Sequence, residues 1–233
     1  MPQQGNHVWR DRVILTCEHA TNHVPPRYAA LFDSDHARSA LQSHRGYDIG
    51  AKNVALALAR AWNVPLICGN ITRLAIDLNR SENHRAVFSE FTKTASHEMR
   101  EALRVDFHQA HWNNVITRIE EMHTKYRQVI HIAVHSFTPE LDGVVRDADI
   151  GLLYDPSRKE ERALTMAWKK SIDPKWRVRC NYPYRGATDG FPTALRKRWP
   201  ASRYVGIELE INQRVVSDLS VVEDLATLHW PRF

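Results

Sequence analysis

Residues 129–134 read Val-Ile-His-Ile-Ala-Val, and His135-Ser136 follow at once. The run is short and rich in β-branched side chains, so it is expected to be a buried strand. Working outward, similar apolar runs occur at 13–17 (Val-Ile-Leu-Thr-Cys), 64–68, 149–154, 176–180 and 204–211 (Tyr-Val-Gly-Ile-Glu-Leu-Glu-Ile). Helix-like stretches lie between them. Residues 50–62 place Val54, Ala57, Leu58 and Ala61 on one face at helical spacing. Residues 88–128 lack Gly and Pro and are dense in charge, which predicts one long helix or two. Further helices are expected over 158–171, 188–199 and 217–227. Strands alternating with helices predict a three-layer α/β/α sandwich around a mostly parallel mixed sheet, as a single domain over 1–233.

The bulk properties restrict the function classes. The chain has 233 residues, 43% of them hydrophobic and 25% charged, enough for one core. Its net charge of +5 is spread along the chain without a Lys/Arg block. That excludes a dedicated nucleic-acid arm and leaves a solvated basic surface or a site that attracts acidic substrates. Cys17, Cys68 and Cys180 are far apart in sequence and form no Cys-x-x-Cys motif, as expected in a reducing compartment. The first twelve residues have no apolar core of a leader, and no apolar run approaches membrane-spanning length. A cytoplasmic protein is expected, with no membrane or nucleic-acid partner. Oligomeric state is not legible.

In open α/β sheets, ligands bind beyond the carboxyl ends of the strands. Strand 13–17 ends in Glu18-His19, strand 129–134 in His135-Ser136, and the last strand carries Glu208 and Glu210. His44 and Asp48 lie just before the helix at 50–62. Two histidines and a carboxylate with one open position form the donor set of a hydrolytic zinc site. Glu208 and Glu210 are two apart and so share one face of a strand, either lining a site or facing solvent. Arg73 and Arg80 suit a carboxylate ligand but are also natural ion-pair partners of Asp77. Ser136 lacks the Gly-x-Ser-x-Gly setting of a nucleophile. His108 and His111, three apart, read as a solvated helix face rather than a chelate. Tyr182, Tyr184 and Phe191 flank a Gly- and Pro-containing segment expected to be an ordered loop beside a pocket.

Several of these segments together resemble the N-formylglutamate amidohydrolase family. They are Cys17-Glu18-His19-Ala20-Thr21-Asn22 with Val24-Pro25-Pro26, His44-x-x-x-Asp48-x-Gly50-Ala51, and Thr72-Arg73-Leu74 with Asp77-x-Asn79-Arg80. His135-Ser136-Phe137-Thr138-Pro139, Asn181-x-Pro183-Tyr184 and Glu210-Ile211 complete the series. They occur in family order over roughly residues 12–215. The family is similar in fold to zinc carboxypeptidases, so the resemblance implies a phosphorylase/hydrolase-like sandwich.

The same resemblance implies roles. His19 and His135 would be zinc ligands, Asn79-Arg80 would grip a substrate carboxylate with help from Arg73, and Glu210 would be the general base. Glu208 would be a second catalytic or orienting carboxylate, and Ser136 and Tyr184 further substrate contacts. The carboxypeptidase His-x-x-Glu spacing is missing, because position 22 is Asn. Asp48 is then the first choice for the third ligand and Glu18 the second. The implied activity is zinc-dependent hydrolysis of a small acidic N-acyl amino acid. The alternative is a non-catalytic anion- or nucleic-acid-binding protein that keeps the fold. After Tyr184 the chain runs Arg185-Gly186-Ala187-Thr188-Asp189-Gly190, which leaves the acyl group and amino acid open.

Overall fold

All six apolar runs are strands of one sheet in the computed structural model, which describes residues 9–228. Residues 1–8, most of the polar N-terminal stretch considered above, and residues 229–233 lie outside the described region. The strands are β1 (Val13–Cys17), β2 (Leu66–Cys68), β3 (Val129–Phe137), β6 (Ile150–Leu153), β7 (Val178–Cys180) and β8 (Tyr204–Asn212). A small unexpected hairpin, β4 (Glu140–Leu141) and β5 (Val144–Val145), interrupts the series. The sheet order is β2-β1-β3-β8-β6-β7. Strands β2, β1, β3 and β8 are parallel, while β6 runs antiparallel to β8 and carries β7 with it. The expected mixed, mostly parallel sheet is therefore present.

Helices cover both faces and make a three-layer sandwich. Helices α2 (Ala51–Trp62), α5 (Lys159–Ser171) and α7 (Leu219–Ala226) pack on one face, over Leu15, Ile132, Ile207 and Leu209. Trp62 and Trp168 bury their rings there, 5.9 Å apart, and their indole N–H groups donate to the Ala226 and Leu225 carbonyls at the end of α7. A buried indole is stable only with such an acceptor. Helices α4 (Ala110–His123) and α6 (Phe191–Arg198) cover the other face, over Ile14, Val129 and Tyr204. Cys17 and Cys68 are register neighbours across β1 and β2 despite their distance in sequence, and both are free.

Two regions depart from expectation. Residues 88–95 form turns, and the first helix of the charged stretch, α3 (His97–Leu103), starts only where the Ser96 hydroxyl accepts from Met99 N–H. A π-helical segment, Arg104–Gln109, joins it to α4. Wider turns of this kind shift the side-chain register. Here His108 and His111 are buried rather than solvated. Second, the stretch from about 24 to 43 and 70 to 91 has no clean period, yet it builds its own core. Tyr28 and Phe32, α1 (Asp35–Gln42), Ile71, Ile76, Leu78 and Leu103 pack together as a cap. That cap carries Arg73, Asp77, Asn79 and Arg80.

The position of β8 is set by a buried ion pair absent from the sequence reading. Glu161 on α5 accepts from Arg196 Nε at 2.9 Å, from Gly206 N–H at 3.1 Å and from Asp155 N–H at 2.8 Å. Arg196 on α6 also donates to the Gly206 carbonyl at 2.9 Å. Helices on both faces are thus tied through the strand that carries Glu208 and Glu210. Gly69 is needed for a different reason: a Cβ there would lie 2.0 Å from the Glu18 carbonyl, so only glycine lets the chain pass the end of β1.

Removing one partner of a buried pair strands the other charge, at a cost of about 3–5 kcal/mol. Arg196→Met is therefore expected to lower the unfolding free energy by roughly that amount. Urea denaturation would check this, and a loss below about 1 kcal/mol would show that Glu161 is satisfied without the guanidinium.

Candidate metal centre and active-site cavity

Parallel register brings the charged residues together. β3 and β8 pair His135 with Glu210 and Ala133 with Glu208, and β1 pairs Thr16 with Ala133. Two residues further along, Glu18 stands level with His135, because the side-chain period of a strand is two. His135 and Ser136 lie inside β3, not beyond its end as expected, since the ladder with β8 runs on to Phe137 and Asn212.

Loops supply the other ligand candidates. His19 leaves β1 in a turn, and its carbonyl accepts from Asp48 N–H at 3.0 Å. Asp48 is fixed just before α2, where its carbonyl accepts from Ala51 N–H. The Ser136 hydroxyl donates to the neighbouring Ile49 carbonyl at 2.8 Å.

The result is a convergent set. Asp48 Oδ2 lies 2.8 Å from His135 Nδ1 and 3.3 Å from His19 Nδ1. The outer nitrogens of both rings face further carboxylates. His19 Nε2 is 2.7 Å from Asp77 Oδ1, and His135 Nε2 is 3.3 Å from Glu18 Oε2, a pairing distance without hydrogen-bond alignment. Glu18 also lies 3.6 Å from His111 Nε2. Arg73 bridges the two aspartates, with Nη1 at 3.2 Å from Asp48 and Nη2 at 3.1 Å from Asp77. Behind His135, His131 links Thr16 and Tyr204 through two 2.7 Å contacts, and burial pushes its imidazole pKa down to about 4, so it is neutral there.

The electrostatics follow from this packing. Burial opposes ionisation of Asp48, yet His19 and His135 hold its carboxyl well below the usual range. Asp77 is likewise buried and likewise lowered, by Arg73 and His19. Glu210 goes the other way: burial, with Asp48 and Glu208 adding to it against His135, raises it to about 8. Glu208 is raised too, chiefly by burial. Five buried carboxylates, Glu18, Asp48, Asp77, Glu208 and Glu210, thus crowd a site whose guanidinium, Arg73, is already shared by two of them.

That surplus tests the fit of a cation. His19, Asp48 and His135 each offer one ligand atom within 4.8 Å of the others. Two imidazoles and a carboxylate match zinc's preference among divalent ions, and each imidazole has a carboxylate on its far side, the arrangement that orients metal-binding histidines. The residues fit the ion.

A cavity of about 160 Å³ opens on this cluster and is lined by ten of the eleven residues expected from sequence, all but Glu18. Glu18 lies fully buried behind His135 instead. Glu210 Oε2 has no hydrogen-bond partner among the described residues. Asn79 and Ser136 line the cavity but use their side chains on the protein. Asn79 Oδ1 accepts from Phe191 N–H at the start of α6 at 2.9 Å. Ser136 holds Ile49 and accepts from Gln213. Arg80 reaches the Asp189 carbonyl at 3.4 Å and its carboxylate at 4.0 Å, while Tyr184 stays 45% exposed at the rim. The loop after Tyr184 borders the cavity through Arg185, Thr188 and Asp189, as expected. The sequence reading missed the contact of Asp77 with His19 and of His111 with Glu18. Asp77 was expected only as an ion-pair partner of Arg73 and Arg80, and its pairing with Arg73 is present.

Comparisons with known proteins bear on the fold and the family. The chain superposes on a crystal structure of a gene product from Agrobacterium tumefaciens with a TM-score of 0.79, at 25% identity over 95% of this chain and 88% of that one. It is also similar to N-formylglutamate amidohydrolase from Ralstonia eutropha JMP134, with a TM-score of 0.71 and 14% identity over 93% of this chain and 90% of that one, a likeness of fold. A comparison with curated proteins found no match. No helix among the described residues is long and apolar enough to cross a membrane. The family model for N-formylglutamate amidohydrolase matches residues 11–217, nearly the whole chain, and the protein belongs to that amidohydrolase family.

Proposed function

We propose that the protein hydrolyses the amide bond of a small acidic N-acyl amino acid, with a divalent ion, zinc by ligand type, held by His19, Asp48 and His135. The observation that carries this reading is the approach of two ring Nδ1 atoms to one Asp48 oxygen, at 2.8 and 3.3 Å, with each Nε2 facing a second carboxylate. Bound there, zinc supplies Lewis acidity, which lowers the pKa of water and polarises a carbonyl.

The remaining chemistry belongs to the chain. Glu210 takes the proton of the attacking water and passes it to the leaving amine. Its free Oε2 and its carboxyl near 8 equip it for both transfers, and positive charge beside it would lower that value toward neutrality. Glu208 is the second candidate for this role; it is buried, and its carboxyl is raised chiefly by that burial. Arg73 has N–H groups beyond those spent on Asp48 and Asp77, and these serve the developing oxyanion. Arg80, loosely held by Asp189, binds the α-carboxylate of the substrate. Asp77 and Glu18 set the orientation of the two histidines.

Metal analysis tests the foundation: about one zinc per chain is expected. His135→Ala should lose most of it together with nearly all hydrolysis of N-formylglutamate, and full metal content in that variant would remove His135 from the ligand set. Glu210→Gln keeps shape and metal but not the base, so kcat should fall by roughly 10²–10⁴ with KM little changed. A near-normal kcat would transfer the role to Glu208. Arg80→Ala should raise KM for N-acyl amino acids and have far less effect on a simple amide without a carboxylate. Equal losses on both substrates in steady-state assays would make Arg80 structural.

A further inference from the structure

The two histidines of the candidate centre are backed by carboxylates of unequal standing. Asp77, behind His19, is itself anchored: its carboxylate accepts from Arg73 Nη2 at 3.1 Å and from Asn79 N–H at 3.0 Å. Glu18, behind His135, has no such support. It is fully buried, and neither of its oxygens has a hydrogen bond among the described residues. Its paired neighbours are two imidazoles, His135 Nε2 at 3.3 Å and His111 Nε2 at 3.6 Å. Both of those nitrogens are likewise without a hydrogen bond, and the residues are 3% and 7% exposed. A buried carboxylate is costly unless a donor or a counter-charge meets it. His135 is already committed on its other side, where Nδ1 lies 2.8 Å from Asp48. Among the described residues, His111 is the remaining group that pairs with Glu18.

The helix that carries His111 is fixed on either side of it. His108 Nε2 lies 2.8 Å from the Arg80 carbonyl, and Trp112 donates its indole N–H to the Leu78 carbonyl at 2.8 Å. The rings of His111 and Trp112 lie 5.8 and 4.6 Å from the ring of Phe191. The imidazole is thus held beside Glu18 by contacts that do not involve Glu18, as a group that positions another must be. The π-helical segment Arg104–Gln109 stands directly before this turn, and such segments occur frequently at functional sites. We propose that His111 is a positioning residue of the centre: it holds the Glu18 carboxylate against His135 Nε2 and so fixes the ring whose Nδ1 faces Asp48. Its consequence for zinc rests on the metal reading above, whereas the order His111–Glu18–His135 belongs to the chain alone.

Two variants separate the donor from the bulk. His111→Phe keeps a ring to pack on Phe191 but cannot donate, while His111→Gln gives up the ring and keeps an N–H near the place of Nε2. Zinc affinity is measured on metal-stripped protein by competition with a chromophoric chelator. The His135 Nε2–H proton is followed by NMR in the metal-free protein and assigned by its loss in His135→Gln. His111→Phe is expected to weaken zinc by roughly tenfold to a hundredfold, the range for groups that orient a metal-binding histidine, and to speed exchange of the His135 proton with water. His111→Gln should stay within about threefold of wild type on zinc and keep the His135 signal, because the donor remains. A packing role predicts the reverse order, with Phe near wild type and Gln impaired, and that order overturns the proposal. Unchanged zinc affinity and an unchanged His135 signal in both variants overturn it too, and leave the metal reading standing. If His111→Phe does not fold, the Glu18→Gln background carries the test: there His111→Phe should change zinc affinity by less than about twofold, since no buried charge is left for it to hold. A further loss of about tenfold would show that the effect does not pass through Glu18. If wild type binds no zinc but the His135 signal is lost in His111→Phe and kept in His111→Gln, the positioning stands and the metal reading falls alone.

Discussion

One carboxylate oxygen of Asp48 lies between two imidazoles, with further carboxylates behind both rings. So dense a group of buried acids is unfavourable by itself, because each anion has left water. Much of the structure around it reads as compensation. Arg73 spans Asp48 and Asp77, the cap core holds the segment carrying both Arg73 and Asp77, and the Ser136 hydroxyl pins the Ile49 carbonyl beside Asp48. The parallel sheet makes the cluster possible, since β1, β3 and β8 all deliver side chains at the same edge and in the same register.

Two adjoining cavities differ in their lining. The first holds His19 and His135, the acids Glu208 and Glu210, and Arg80. The second is cationic and holds none of those acids. Arg73 belongs to both, and its bonds to Asp48 and Asp77 link the two cavities through one guanidinium.

Sequence reasoning was strongest in the sheet. The runs at 13–17, 129–134 and 204–211 are central strands buried on both faces, so they are mostly apolar, with Thr16, His131, Glu208 and Glu210 as the polar exceptions, and can be read without a structure. It was weakest where local pattern and tertiary role diverge. The cap has a core but no period, because its residues come from turns and short helices. His108 and His111 sit in a charged helix whose sequence looks solvated, yet a π-helical segment and the packing of that helix against the sheet turn them inward. The start of α6 was placed three residues early, because Asn79, more than a hundred residues away, supplies the acceptor for Phe191 N–H.

The sequence by itself determined the layered α/β class, the strands, and the inventory of His, Asp, Glu and Arg at their ends, because hydrophobic period and residue type are local properties. It also carried the family resemblance, since motif order is linear. Only the tertiary structure separated Asp48 from Glu18, placing one at both Nδ1 atoms and the other behind His135. It alone committed Asn79 and Ser136 to the protein and brought His111 to Glu18. Those outcomes depend on distances between segments far apart in the chain, and no local spacing encodes them.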